Sequence, residues 1–338
     1  MDALSEALSS VRMTGAIFLD AEFTAPWSFA APLARQSALV LAPGTERIIN
    51  YHLVTEGKAW VKIEGQPDVS VEAGEIVIIP HGEAHTFCNG TPDIAFDGAK
   101  SLSKHVAGQL NTLRWGGGGT ATKFVCGFMG CERQAERSFL AGLPTTLKVN
   151  IRANGTGAWL ENSIRYLVSE SQLGQTGHSI LLSKMAEALF IETLRCYIKV
   201  LPQDAKGWLA GARDPIAGAA LALLHRRPAA HWTADRLARD IGASRSVLCE
   251  RFTRYLGEAP LTYLARWRMQ LASRRLQTTK DTVLQVGLAV GYESEAAFVR
   301  AFKREFGLPP ARYRKALAQA WRTEREHRGG AASHAHDI

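Results

Sequence analysis

The sequence predicts an α+β, multidomain chain with a small β-barrel or sandwich first, a helical segment after it and an all-α region at the end. Three observations carry that expectation. Apolar residues change from strand-like to helical spacing near residue 157, residues 233 to 310 contain a two-fold repeat, and positive charge is concentrated over that repeat.

The 338 residues are long for one domain, and a hydrophobic content of 46% suffices for two cores. No run approaches the roughly 18 consecutive apolar residues of a membrane span. The N-terminus carries Asp2 and Glu6 and lacks the basic start of a signal peptide, so a cytoplasmic protein with no membrane partner is expected. Five cysteines (Cys88, Cys126, Cys131, Cys196, Cys249) make an odd count, which argues against a disulfide framework and leaves metal ligation or redox sensing as special roles. The net charge of +8 hides an asymmetry: from Arg213 to Ala320 there are 19 Lys/Arg against 9 Asp/Glu, a balance of +10 that leaves the rest near −2. A basic module joined to a near-neutral one is the electrostatic footprint of nucleic-acid binding. A solvated basic surface would have the same composition.

In the first half, short apolar runs such as Trp60-Val61-Lys62-Ile63 and Ile76-Val77-Ile78-Ile79 are separated by Gly, Pro, Asn and Asp clusters, which predicts strands. From residue 157, Trp159, Ile164, Leu167 and Val168 fall at helical intervals. A second helix is expected over His178 to Val200, with an apolar stripe wide enough to need partners on more than one side. Residues 203–212 read as a linker, and 323–338, holding Gly329-Gly330 without periodicity, as a disordered tail.

The repeat supplies the functional argument. Leu237-Ala238-Arg239-Asp240-Ile241-Gly242 leads to Ser244, Leu248, Phe252 and Leu256; Val286-Gly287-Leu288-Ala289-Val290-Gly291 leads to Ser294, Phe298, Phe302 and Phe306. Ala238 and Gly287 are small where two helices must cross closely, while Gly242 and Gly291 suit a tight interhelical turn that needs positive φ. Ser244 and Ser294 are N-cap candidates, and the i, i+4, i+8 ladders pin each following helix to a core. The other face of each following helix carries basic residues, Arg245, Arg251 and Arg254 in the first and Arg300, Lys303 and Arg304 in the second. The two glycines lie 49 residues apart and the two serines 50, so the second turn is one residue longer.

With these residues in view, the segment from Asp214 to Arg314 resembles the DNA-binding region of AraC/XylS-type bacterial transcription regulators. The match includes Ala-Arg-Trp-Arg-Met at 265–269, Gly-Tyr-Glu-Ser-Glu-Ala-Ala-Phe at 291–298 and Arg-Ala-Phe-Lys-Arg-Glu-Phe-Gly-Leu-Pro-Pro at 300–310. The resemblance implies seven helices, with two recognition helices joined by one long helix and set about one turn of DNA apart on promoter half-sites. Position by position, it puts Ser246, Cys249, Glu250 and Thr253 in the first groove and Glu295, Ala296, Val299 and Arg300 in the second. The flanking basic residues Arg245, Arg254, Lys303 and Arg304 are expected to hold phosphates, and Ser294 is a further DNA-binding candidate. Glu250 is equally readable as a helix-surface charge paired with Arg254. RNA polymerase is a further partner where such a protein is an activator.

The front half resembles a cupin. Residues 74–85, Gly-Glu-Ile-Val-Ile-Ile-Pro-His-Gly-Glu-Ala-His, are similar to the second cupin motif with Glu75 in place of the usual Asp, and His52-Leu53-Val54-Thr55-Glu56-Gly57 to the close of the first. A double-sheet barrel follows from the resemblance, with an interior able to hold an effector. His52 and His85 are the candidate effector-binding residues. Enzymatic cupins usually take two His and a Glu from the first motif, whereas Asn50 stands in the Glu position and no His pair precedes it, so no catalytic residues are expected. A cupin metalloenzyme fused to a DNA-binding module is the alternative. Zinc is the one cofactor candidate, held by His85, Cys88, Cys126 and Cys131; a reversible Cys126–Cys131 disulfide or inert thiols are the competing readings. The expected layout is then a cupin-like sensor over 1–156, a helical dimerisation segment over 157–202 that makes a homodimer, a linker over 203–212, the double helix-turn-helix over 213–322 and the tail.

Overall fold

The computed structural model describes residues 2–9, 13–33, 47–91, 96–97, 113–131, 140–153, 155–170 and 178–316. The expected tail lies outside them. The chain forms two compact units, one of residues 8–210 and one that joins residues 211–338 to the first seven residues. That last assignment differs from the sequence expectation, which placed the N-terminus with the barrel. In helix α1 (Ala3–Ser9), Ala3, Leu4 and Ala7 are buried and Glu6 accepts from Arg226 Nε at 2.8 Å, a pairing 220 residues apart that no local pattern announces.

The N-terminal unit is a double sheet. Strands β1 (Met13–Thr24), β3 (Arg47–Glu56), β6 (Glu75–Ile79), β9 (Leu113–Gly116), β10 (Ala121–Cys131) and β11 (Leu147–Asn150) form one sheet in the order β11-β6-β3-β10-β1-β9. Strands β2 (Trp27–Ala31), β4 (Lys58–Ile63), β5 (Val69–Glu72), β7 (His85–Asn89) and β8 (Phe96–Asp97) form the other, in the order β5-β4-β7-β2-β8. Strand β4 shows the half-buried alternation, with Ala59, Val61 and Ile63 inside and Lys58, Trp60 and Lys62 outside. In β6 four successive apolar residues are all buried, because that strand is covered on both faces. Between the sheets Phe23, Trp27, Phe87 and Phe124 meet edge to face at centroid distances of 5.0 to 5.3 Å, so rings fill the barrel interior.

Helical spacing from residue 157 corresponds to α2 (Gly155–Glu170), and the following apolar stripe to α3 (His178–Val200). Arg152 fixes the entry to α2: its Nε and Nη2 donate to Glu161 at 2.7 and 2.5 Å and Nη2 also donates to the Thr55 carbonyl at 2.8 Å, tying helix to β3. The α3 stripe is divided. Met185, Ala186, Leu189, Phe190 and Leu194 are buried, and the helix packs on β1 and β11 of its own barrel. Ile180, Leu181 and Val200 remain exposed, as do Trp159 and Tyr166 of α2. The expected linker contains a short helix, α4 (Trp208–Arg213), whose Trp208, Leu209 and Ala210 are buried; its apolar side chains make it part of the packing.

The C-terminal unit contains α5 (Pro215–Arg226), α6 (Ala234–Asp240), α7 (Arg245–Leu256), α8 (Pro260–Thr278), α9 (Val283–Ala289) and α10 (Glu295–Phe306), and a seventh helix starts at residue 310. Helix α8 joins two cores. Its N-terminal half sends Tyr263 against Phe252 and Trp267 against His225, and its C-terminal half sends Met269, Ala272 and Leu276 against Val286, Phe298 and Phe302. No helix among the described residues is long and apolar enough to cross a membrane. Phe302 is fully buried with Phe298, Phe306 and Tyr313 around it, so Phe302→Ala is expected to cost roughly 3–5 kcal/mol of stability in urea unfolding of the full chain. A loss below about 1 kcal/mol would show that the second core is not packed this way.

Candidate functional site

Each copy of the repeat is a helix pair with a capped entry. Thr233 and Thr282 cap α6 and α9, the latter in a reciprocal capping box with Gln285. Gly242 and Gly291 adopt φ of +70° and +90°, and Gly287 lies so close to Phe298 that an added Cβ would meet three of its atoms at 3.1 Å. Ser244 then accepts from Val247 N and Ser294 from Ala297 N, each at 3.3 Å, starting α7 and α10. The ladders are on the inner face as expected, with Leu248, Phe252, Phe298 and Phe302 completely buried.

The opposite faces carry the DNA-facing candidates. In α7, Arg245, Ser246, Glu250, Thr253 and Arg254 are exposed and Cys249 is half-buried; in α10, Glu295, Ala296, Arg300, Lys303 and Arg304 are exposed and Val299 is half-buried, just after the exposed Ser294. Glu250 and Arg254 make no ion pair among the described residues, and the Arg254 guanidinium lies 5.6 Å from the Tyr255 ring instead. Arg251 departs from the sequence reading. It is half-buried and pairs at 3.3 Å with Asp214, the buried N-cap of α5, so its charge holds two helices together. Arg245 reaches Asp235 at 3.4 Å on the surface. Arg300, Lys303 and Arg304 have no ion pair among the described residues, so α10 offers three such cations where α7, with Arg245 and Arg251 paired, offers Arg254.

In the barrel, His52 on β3 and His85 on β7 come together, and Cys126 on β10 joins them. Cys126 is opposite His52 in the strand register. The hydrogen bonds have a direction. The Glu83 carbonyl accepts only, so His85 Nδ1 donates to it at 2.9 Å; His52 Nε2 then donates to His85 Nε2 at 2.7 Å, and the Cys126 thiol donates to His52 Nδ1 at 2.5 Å. Burial lowers both imidazole pKa values, for His52 with help from His85, and raises the thiol well above its usual value, so every member is held neutral. The Trp27 indole N–H is also buried, with no acceptor among the described residues.

Among the described residues, the proposed zinc ligands His85, Cys88 and Cys126 do not come together as a set. Cys88 pairs with the exposed Trp60 on the outer face of β7 while His85 and Phe87 point inward, the His52 ring stands between Cys126 and His85, and the Cys131 side chain lies outside the described residues. Among the described residues no three His, Cys, Asp or Glu are arranged to hold a metal ion. The sequence missed the Cys126–His52 pairing because it depends on strand register rather than on a motif.

A cupin family model matches residues 2–199, and a helix-turn-helix domain model matches residues 237–316. The chain belongs to the AraC-type transcription regulators that carry a cupin domain. This regulator is 29% identical to the HTH-type transcriptional regulator AlkR of Acinetobacter baylyi over 93% of its own length and 99% of that protein. It is 26% identical to RclR of Escherichia coli K12, named an RCS-specific transcriptional activator, over 94% and 99%. Among solved structures, an AraC-type transcriptional regulator from Chromobacterium violaceum aligns with 32% of the regulator and 97% of that chain, at 30% identity and a TM-score of 0.31.

Three buried histidines of the regulator predict how its stability responds to acid. His52 and His85 have lowered pKa values, and His225, stacked 4.3 Å from Trp267 with Nε2 2.7 Å from the Tyr263 hydroxyl, is pushed down to about 4 by burial. The unfolded chain therefore binds more protons below the ordinary histidine value of 6.5. Stability is then full above that value and lost as pH falls toward the folded-state pKa. His225 alone contributes a loss of about 2 kcal/mol at pH 5 relative to pH 7.5. Thermal unfolding across that range should show a falling midpoint, and a flat profile would contradict neutral burial of these rings.

Proposed function

We propose that this protein is a sequence-specific transcription regulator that reads promoter half-sites with α7 and α10 and takes its signal in the cupin barrel. The observation that supports the DNA-reading role most strongly is the pair of capped helices with buried apolar ladders and exposed polar outer faces, the second bearing Arg300, Lys303 and Arg304, which have no ion pair among the described residues. Arg300 is the base-reading arginine, with geometry suited to a guanine edge, and Lys303 and Arg304 hold phosphates.

The protein acts in the cytoplasm as a homodimer. Trp159 and Tyr166 of α2 with Ile180 and Leu181 of α3 are exposed apolar side chains on the helical segment and supply the pairing surface. In the barrel, the neutral Cys126–His52–His85 chain is the sensing centre. A small molecule that breaks into that chain, or a reagent that modifies its thiol, disturbs a buried polar chain set among packed aromatic and aliphatic side chains. It regulates DNA binding if it favours one of two states. The barrel is read as a binding domain rather than an enzyme's.

Selection of bound duplexes by the full chain provides the test. Arg300→Ala should relax preference at one base by roughly 1–3 kcal/mol while leaving other positions intact. Lys303→Ala should weaken all sequences about evenly and reduce the salt slope by about one. A uniform loss with Arg300→Ala would remove its assignment as a base reader.

A further inference from the structure

The two helix-turn-helix copies are joined by more than the covalent linking helix. Arg268, at the middle of α8, is half-buried and sends Nε to the Pro228 carbonyl at 2.7 Å and Nη2 to the Ala230 carbonyl at 2.8 Å. Both acceptors lie in the loop that leads into α6, the first helix of the first copy. That loop is braced internally, since Trp232 donates its indole N–H to the Arg227 carbonyl and its backbone N–H to Ala230, both at 2.9 Å. On its other side the guanidinium lies 5.9 Å from the ring of Tyr292, which belongs to the turn of the second copy.

Gly291, one residue earlier in that turn, lies directly against the same loop. An added Cβ there would meet the Ala229 Cα and carbonyl oxygen at 2.8 Å and Arg268 Nη2 at 2.9 Å. Three segments distant in sequence therefore converge on one guanidinium: the entry loop of the first copy, the spine and the turn of the second. The turns of the two copies are not equivalent in this respect. Tyr292 N donates to the Gly287 carbonyl as Ala243 N donates to Ala238, so Ala243 occupies the Tyr292 place in the first turn and offers no ring. The extra residue of the second turn is then Glu293, exposed and 3.5 Å from His231 of the same entry loop.

We propose that Arg268 is a positioning residue for two-groove reading, clasping the first copy's entry loop to the second copy's turn so that α7 and α10 meet DNA at one fixed separation and angle. The proposal rests on the DNA-reading role above. A planar guanidinium suits the task because it donates to two carbonyls at once while its face packs on a ring; a lysine ammonium is a point charge without that fork. Reading two grooves with a rigid pair of helices demands a set spacing of sites, because each inserted base pair moves the second site by about 3.4 Å and rotates it out of phase. A loosened pair binds less tightly at the best spacing and discriminates less against the others.

The test measures full-chain binding to a selected two-box duplex and to versions with one base pair inserted or deleted between the boxes. Wild type should lose at least about tenfold affinity at each altered spacing. Arg268→Ala should bind the original site more weakly but vary less than about threefold across spacings, with Arg268→Lys intermediate. Gly291→Ala, whose Cβ forces the loop away, should flatten the profile in the same way and provides an independent route if the alanine variant at 268 fails to melt cooperatively. A spacing penalty as steep as wild type in the folded variants, even with weaker overall binding, would overturn the positioning role. Failure of wild type to select any two-box duplex would overturn the DNA-reading role beneath it, a distinct result.

Discussion

Helix α8 is buried by two separate cores, and the organisation of the C-terminal unit depends on that double burial. Tyr263 and Trp267 belong to the core of α5 and α7, while Met269, Ala272 and Leu276 belong to the core of α9 and α10. Neither core is large, so each copy of the repeat relies on its half of the spine for apolar cover. The same sharing sets the geometry of function. Because each recognition helix is pinned by its own ladder to the common helix, the exposed faces of α7 and α10 are held relative to each other by packed rings. Tyr313 extends the arrangement, its hydroxyl 2.9 Å from Ser273, and Arg314 donates to the Leu276 and Asp281 carbonyls at the end of the spine.

The barrel follows a different rule. Its interior is packed with aromatic and aliphatic side chains, and among its buried polar groups is a short chain of neutral members whose tautomers are fixed by one backbone carbonyl. Such a chain is fully satisfied only while all members keep their protons, and a buried polar network is costly when any one bond is lost.

Much of this was legible in the sequence, where period and capping are local properties. The repeat from 233 to 310, the serine caps, the apolar ladders and the longer second turn all correspond to observed features, as does the change to helix near residue 157. His52 and His85 were identifiable from cupin-like motifs. Other features depend on tertiary pairing and left no local trace. Arg251 looks like a DNA-facing cation on a helical wheel, yet Asp214, 37 residues away, draws it inward. Cys126 meets His52 because of the β3–β10 register, and Cys88, next to an inward Phe87, lies on the opposite face of β7, where it is buried. Arg268 lies within a motif that marks the linking helix, but its carbonyl partners 38 and 40 residues upstream were not apparent from spacing.

If two recognition helices on one spine read DNA together, chemical footprinting of the full chain on a selected duplex will show two protected major-groove segments about one helical turn apart on the same face of the duplex. Protection of a single segment, or protection independent of sequence, would contradict joint reading.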